Sequence, residues 1–121
     1  MTTVAIPVFQ WRIAPVFDSC LRLFLVHIEQ DHEVERTEFP VHGLWPSERV
    51  VALQRAGATT LICAGISDVL NNMLESAGIR VIEGIAGQIE DVLQAFISNR
   101  LAEPQFCMPG RLRVAKIAEG D

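Results

Sequence analysis

The chain has 121 residues, of which half are hydrophobic and 21% are charged. This length supports one hydrophobic core rather than two, and the composition is that of a globular domain rather than of a disordered segment. The net charge of −5 would repel a polyanion, so binding of nucleic acid is disfavoured. A single domain over residues 1–110 is expected, followed by a C-terminal tail over residues 111–121.

The cysteine pattern and the hydropathy indicate the cellular compartment of the protein. No apolar run approaches the ~20 residues of a membrane-spanning helix, and the N-terminus has no basic flank or cleavage site of an export signal. Cys20, Cys63 and Cys107 are odd in number and widely spaced, which is typical of thiols in a reducing compartment. The sequence therefore predicts a cytoplasmic protein without a disulfide framework or a membrane partner.

The first half of the chain predicts three strands. Residues 4–9 are a short apolar run that fits a buried strand, with Pro7 near an edge or bulge. Residues 10–19 lack periodicity and are expected to form a shaped loop. Residues 21–28 and 33–39 predict two antiparallel strands joined by a turn, the second at the edge of the sheet.

The second half predicts helices that alternate with strands. A short helix starts at Ser47 and ends before Gly57, and a second helix is capped by Ser67 and ends at Gly78. Residues 60–63 predict a short buried strand and residues 79–82 a further strand, and the apolar spacing of residues 89–101 predicts the longest amphipathic helix. The C-terminal tail alternates weakly and is compatible with an extra strand or a disordered end.

This order of elements predicts an α/β fold with a five-stranded mixed sheet and helices on both faces. The simplest strand order is 3-2-1-4-5, with the first and fourth strands as parallel neighbours whose outgoing connections diverge. Ligands of open α/β sheets tend to bind at such a switch point. The loops that meet there are residues 10–19, 64–67 and 83–87.

These loops carry several candidate binding groups. The thiolate of Cys63, at the end of a strand, would suit a soft metal, although a small buried hydrophobe is the commoner role of cysteine, and the same alternatives hold for Cys20. His42 lies in a non-repetitive loop from which its imidazole could reach a metal cofactor. Arg12 offers donors to an anion, or else is a surface charge or a partner of Asp18. The set predicts an anion or metal site.

Two helix starts could contribute backbone groups to the same site. Gly65 with the cap Ser67, and Gly87 before the last helix, would allow backbone amides to face an anion, although glycine before a helix is also ordinary turn chemistry. No Gly-x-Ser-x-Gly elbow occurs, and Asp18 and Asp68 are not paired for acid-base chemistry. Binding is therefore favoured over catalysis.

Several strings together resemble one known family. They are residues 4–8 (VAIPV), 12–18 (RIAPVFD), 77–82 (AGIRVI), Gly87 with residues 89–93 (IEDVL), and the closing residues 106–110 (FCMPG). In their order and spacing the chain resembles the dinitrogenase iron-molybdenum cofactor biosynthesis family, the NifX-like and NifB C-terminal-like domains, from residue 4 to about residue 110. The resemblance implies a ribonuclease H-like three-layer α/β fold.

The resemblance also implies a function. Members bind or carry iron-sulfur, iron-molybdenum or related clusters without transforming a substrate, which implies a non-enzymatic cofactor-binding domain in cofactor assembly or delivery. Its partners would be metal-cluster donor or acceptor proteins, and a homodimer is left open. Arg12, Phe17, Asp18, Cys20, His42, Cys63, Gly65, Ser67 and Gly87 would line the site, with Cys63 and His42 as metal ligands.

Many members carry a Ser-x-His-Phe-Gly-Arg segment after the first strand, whereas residues 14–20 of this chain contain no histidine. Cys63, Cys20, or backbone amides together with Arg12 are therefore the candidate holders of a cluster. Two other functions remain open. One is a regulatory or protein-interaction module with a vestigial site, and the other is a small nucleotide-binding enzyme that uses the two helix starts.

Overall fold

The computed structural model describes residues 2–108, and the predicted tail over residues 111–121 lies outside this part. The described chain forms six strands and three helices, which we number in chain order. The strands are β1 (Thr2–Phe9), β2 (Arg12–Ile13), β3 (Arg22–Glu29), β4 (His32–Pro40), β5 (Thr60–Ile62) and β6 (Arg80–Ile82). The helices are α1 (Pro46–Arg55), α2 (Asp68–Ser76) and α3 (Ile89–Ile97), with short 3₁₀ turns at Phe17–Ser19 and Pro104–Phe106.

The strands form one mixed sheet in the order β4-β3-β1-β5-β6. Strand β1 is antiparallel to β3 and parallel to β5, and β5 is parallel to β6. The five longer strands thus follow the predicted order, with β4 at one edge. The sheet differs from the prediction in its sixth strand, β2, which pairs antiparallel with the end of β1 after a tight turn with Gln10 at φ +59°.

Two hydrophobic clusters lie on the two faces of the sheet. The first joins Val4, Ile6 and Val26 of the sheet to α3, through residues such as Val92 and Leu93. The second joins Ala5, Leu25 and Leu61 to α1 and α2, through residues such as Leu53, Leu70 and Leu74. Neighbouring strand residues point to opposite faces, so each strand contributes to both clusters. The fold is a sheet flanked by three helices.

Three local details refine the predicted elements. Pro7 lies in the central strand β1, but beyond the stretch that pairs with β5, and its carbonyl accepts a hydrogen bond from the backbone of Ala14. Helix α3 ends at Ile97 rather than at Leu101, because Asn99 adopts a left-handed conformation with φ +60°. No helix within residues 2–108 is long and apolar enough to cross a membrane.

Candidate functional site

Three loops meet at one edge of the sheet. Because β1, β5 and β6 run parallel, the segments that follow them leave at the same edge. The first two segments are joined by backbone hydrogen bonds. The amide of Gly65 donates to the carbonyl of Pro15 at 2.8 Å, and the amide of Phe17 donates to the carbonyl of Gly65 at 2.8 Å. Together they form a short parallel bridge, which aligns the 3₁₀ turn with the start of α2.

Gly65 is at a close approach of two backbones. A Cβ atom at this position would lie 3.0 Å from the carbonyl oxygen of Pro15. This is closer than a carbon and a carbonyl oxygen normally approach, so any larger residue would push the two loops apart. The glycine predicted as part of an anion cradle therefore serves loop-to-loop packing in this structure.

The third loop is tied to the other two in the same way. The amide of Ile85 donates to the carbonyl of Cys63 at 3.0 Å, and the amide of Ile13 donates to the carbonyl of Gly87 at 3.0 Å. The amide of Ile89, at the start of α3, donates to the carbonyl of Trp11 at 2.8 Å. The loops after β1, β5 and β6 therefore form one connected surface, which we call the loop edge.

Asp18 lies at the start of α2. Its carboxylate accepts a hydrogen bond from the amide of Ser67 at 2.9 Å, and the hydroxyl of Ser67 accepts one from the amide of Leu70 at 3.2 Å. A carboxylate at a helix N-terminus is stabilised by the unpaired amides and the helix dipole. Asp18 thus places a negative charge beside this helix start, and Ser67 caps the helix as predicted.

Arg12 is exposed on β2 at the loop edge. One alternative was that Arg12 pairs with Asp18. In the structure the carboxylate of Asp18 instead accepts a hydrogen bond from the amide of Ser67. Among the described residues the Arg12 side chain has no hydrogen-bond or ion-pair partner. Its neighbour Gln88 forms a bridge to it across the backbone, directly before α3. Arg12 is therefore a cation at the loop edge that remains available to a ligand.

The predicted sulfur and imidazole groups are not brought together. Cys63 has 0% exposure and lies in the second hydrophobic cluster, and Cys20 lies in the same cluster with 5% exposure. His42 is exposed on the loop between β4 and α1. Within residues 2–108 no group of three or more histidine, cysteine or acidic side chains is placed to hold a metal ion. Cys63 is therefore not exposed at the loop edge, and Ala14 and Phe17 of the first loop belong to the same buried cluster.

Arg49 of α1 is a buried charged residue that is not among those predicted from the sequence. It is 5% exposed, and its Nη1 atom donates to the carbonyls of Phe17 at 3.2 Å and Cys20 at 2.9 Å. Its guanidinium also lies over the ring of Phe17, 6.0 Å from the centroid. Arg49 thus anchors the 3₁₀ turn that carries Asp18. In the sequence, Arg49 lies four residues before the apolar Leu53, and residues at this spacing share a helix face. This spacing is the signal from which the burial of Arg49 could have been predicted.

The same arginine affects Cys20. Burial raises the pKa of the Cys20 thiol, while the charge of Arg49 and its hydrogen bond to the sulfur, at 3.4 Å, act in the opposite direction. Asp18 raises the pKa of this thiol further. Because burial is the largest effect, Cys20 is held as a neutral thiol, which is a poor metal ligand.

Exposed hydrophobic side chains surround the loop edge. Eight large hydrophobic residues are exposed in the described part of the chain. Six of them belong to segments that leave or enter the sheet on this side: the end of β1, the β1–β2 turn, the β2–β3 and β4–α1 connections, and the first turn of α2. We call these six the apolar rim: Phe9, Trp11, Val16, Leu21, Trp45 and Val69. Exposed apolar residues that gather on one side of a protein are typical of a contact surface.

Solved structures share this fold. The crystal structure of PH0822 matches with a TM-score of 0.78 and 24% identity, over 82% of this chain and 91% of that one. The apo form of the orange protein from Desulfovibrio gigas matches with a TM-score of 0.69 and 15% identity, over 83% and 90%. A Thermotoga protein, described as a NifB protein of the DUF35 family, matches with a TM-score of 0.66 and 21% identity, over 83% and 90%.

At these identities the structural matches establish the fold alone. No curated protein matches the sequence at a significant level. The family comparison is more specific, since the model described as dinitrogenase iron-molybdenum cofactor matches residues 2–99, most of the chain. The chain therefore belongs to the dinitrogenase iron-molybdenum cofactor family.

Proposed function

We propose that this protein is a non-enzymatic carrier of an anionic metal-sulfur cluster, of iron-sulfur or iron-molybdenum type, in cofactor assembly or delivery. The observation that carries the proposal is the loop edge with its unpaired cation Arg12, in a chain of this family. The apolar rim would contact the cluster donor or acceptor proteins. The family also supports assigning the fold to the ribonuclease H-like class.

The cargo would be held as an intact anion rather than through a set of protein ligands. Within the described residues no ligand group of three assembles, and Cys63 is sealed in the core. The guanidinium of Arg12 has five donors in a planar fork, which suits the sulfide and oxide surface of a cluster. The start of α2 is less favourable for an anion, because the carboxylate of Asp18 already lies beside it and accepts from the amide of Ser67.

Anaerobic reconstitution with iron, molybdate and sulfide tests the proposal. The protein should retain metal in fixed stoichiometry and show a visible absorption band after desalting. Arg12→Gln should lower the amount of retained metal, whereas Arg55→Gln, which removes an exposed arginine of α1, should leave it unchanged. A wild-type protein that stays colourless and free of metal would refute the carrier role.

The same experiment decides between the ways of holding a cluster. If Cys63→Ser or His42→Ala removes the absorption band and Arg12→Gln does not, the cluster is ligated by the thiolate or the imidazole. In that case the packing around Cys63 must open during loading, because its side chain has 0% exposure. If only Arg12→Gln removes the band, the cluster is held as an anion.

The apolar rim favours a second candidate, a regulatory or protein-interaction module without cargo. The exposed Trp11 and Trp45 would then be its main contacts, since tryptophan is enriched at the centres of protein interfaces. This function predicts a partner that binds metal-free protein as tightly as reconstituted protein. Binding that requires metal would contradict it and favour the carrier.

A further inference from the structure

Helix α1 has apolar residues on two sides. Val50 and Leu53 lie on the inner side and are buried in the second hydrophobic cluster. Val51, Ala52 and Ala56 lie on the outer side. Val51 is 42% exposed, and it is one of the two exposed large hydrophobic residues that do not belong to the apolar rim. The outer side of α1 is therefore open to solvent in the described part of the chain.

An apolar groove of about 580 Å³ runs along this outer side. It is lined by α1 together with Phe39 at the end of β4 and Leu44 of the following loop. The polar residues that line it lie at the two ends of the helix, with Ser47 and Glu48 in the first turn and Arg55 in the last. The groove thus has an apolar middle between an acidic end and a basic end.

The two charged residues of the groove have no partner of opposite charge within residues 2–108. Glu48 is exposed, and its Oε1 atom accepts a hydrogen bond from the amide of Trp45 at 2.7 Å, which leaves Oε2 without a partner in that range. Arg55 is exposed too, and its guanidinium has neither a hydrogen bond nor an ion pair to a described residue. Both charges are therefore available to a second molecule.

The outer side of α1 is complementary to itself. Glu48, Val51, Ala52 and Arg55 have the i, i+3, i+4, i+7 spacing that places residues on one stripe of a helix. Glu48 and Arg55 are equally far from the point between Val51 and Ala52, by about 5 Å along the axis on either side. In an antiparallel pair of these helices with a two-fold axis at that point, Glu48 of each copy lies opposite Arg55 of the other.

We propose that the groove is occupied by a second copy of this chain, with the two α1 helices packed antiparallel about a two-fold axis. The small side chain of Ala52, next to the axis, allows the helices to approach closely, and Phe39 and Leu44 of each copy flank the helix of the other. The two ion pairs between Glu48 and Arg55 select the antiparallel direction, because a parallel pair would bring like charges together. This inference goes beyond the proposed cargo and stands without it.

The dimer should be weak. Exposed ion pairs contribute little and the contact is limited to one helix and its groove, so we expect a dissociation constant on the order of 100 µM. Well below that concentration the chain is monomeric, and metal retention and tryptophan fluorescence can be measured there. Replacing Arg55 should therefore leave those two measurements undisturbed.

Sedimentation equilibrium of the full chain, over concentrations on both sides of the expected dissociation constant, tests the proposal. Arg55→Glu should weaken the dimer by about tenfold or more, because both contacts with Glu48 become repulsive. Glu75→Arg is the matched control, since it reverses an exposed charge of α2 outside the groove and should leave the equilibrium unchanged. A wild-type chain that stays monomeric up to about 1 mM would overturn the proposal.

Mixing two charge-reversal variants tests the pairing itself. Arg55→Glu and Glu48→Arg should each self-associate poorly, but a mixture of the two should form a heterodimer, because an acidic surface then meets a basic one. Circular dichroism checks that Glu48→Arg folds without the hydrogen bond to Trp45. If it does not fold, Arg55→Glu alone decides, since that change leaves this bond in place. Folded variants that associate no better when mixed would overturn the proposal, whether or not the protein carries a cluster.

Discussion

Replacing the buried Arg49 by methionine should destabilise the protein strongly. Its guanidinium donates to two buried carbonyls, those of Phe17 and Cys20. Hydrogen bonds to a charged group contribute about 1.5 to 3 kcal/mol each, so the two together amount to about 3 to 6 kcal/mol. Methionine fills much of the same volume and spares the desolvation of the cation, which offsets part of this loss. We expect the free energy of unfolding to fall by about 3 kcal/mol.

Urea denaturation followed by tryptophan fluorescence measures this loss. Arg55→Met is the matched control on the same helix, because Arg55 is exposed and its replacement should change stability by no more than about 0.5 kcal/mol. Arg49→Lys should recover only part of the stability, since an ammonium cannot reproduce the fork of donors. A loss below about 1 kcal/mol for Arg49→Met would refute the view that this arginine anchors the 3₁₀ turn.

Three further predictions concern other parts of the fold. Gly65→Ala should lower the free energy of unfolding by about 1 to 3 kcal/mol in thermal denaturation, because its Cβ would lie 3.0 Å from the Pro15 carbonyl, and an unchanged melting temperature would contradict the close approach. The hydrogen bond from Arg36 lowers the pKa of Glu90, so their pair stabilises the fold above the usual glutamate pKa, and this contribution is lost as pH falls through the lowered value. Stability curves of wild type and Glu90→Gln should thus differ near neutral pH, by less than about 1 kcal/mol for so exposed a pair, and converge in acid. Finally, the half-exposed Cys107 should react with a thiol reagent before the two buried cysteines, as mass mapping of the labelled native protein would show.

Local signals explain why much of the fold could be predicted. The hydroxyl of Ser67 caps α2, and Gly78 follows this helix in a left-handed conformation with φ +85°. Both roles depend on neighbouring residues alone, so the sequence indicates them directly. Strand β2 was missed because two residues are too few to show a periodicity.

The candidate site was less predictable because its contacts are between distant parts of the chain. Asp18 and Ser67 are 49 positions apart, and nothing near either residue indicates that the carboxylate reaches this amide. Cys63 was correctly placed at the end of a buried strand, but whether its sulfur faces the crevice depends on how the first loop packs. That loop contributes Phe17 to the same hydrophobic cluster as Cys63, whose exposure is 0%.

Contacts at the starts of α2 and α3 change which groups can recognise a ligand. The sequence suggested that the dipoles of α2 and α3 would attract an anion, but the amide of Ser67 donates to Asp18 and the amide of Ile89 donates to Trp11. A carboxylate held beside α2 also repels a second anion from that helix start. The favourable charge at the loop edge is therefore that of Arg12, on the side of α3. An anionic cargo should accordingly bind near the β1–β2 hairpin, where Phe9 and Trp11 of the apolar rim would lie beside it and meet the partner that receives it.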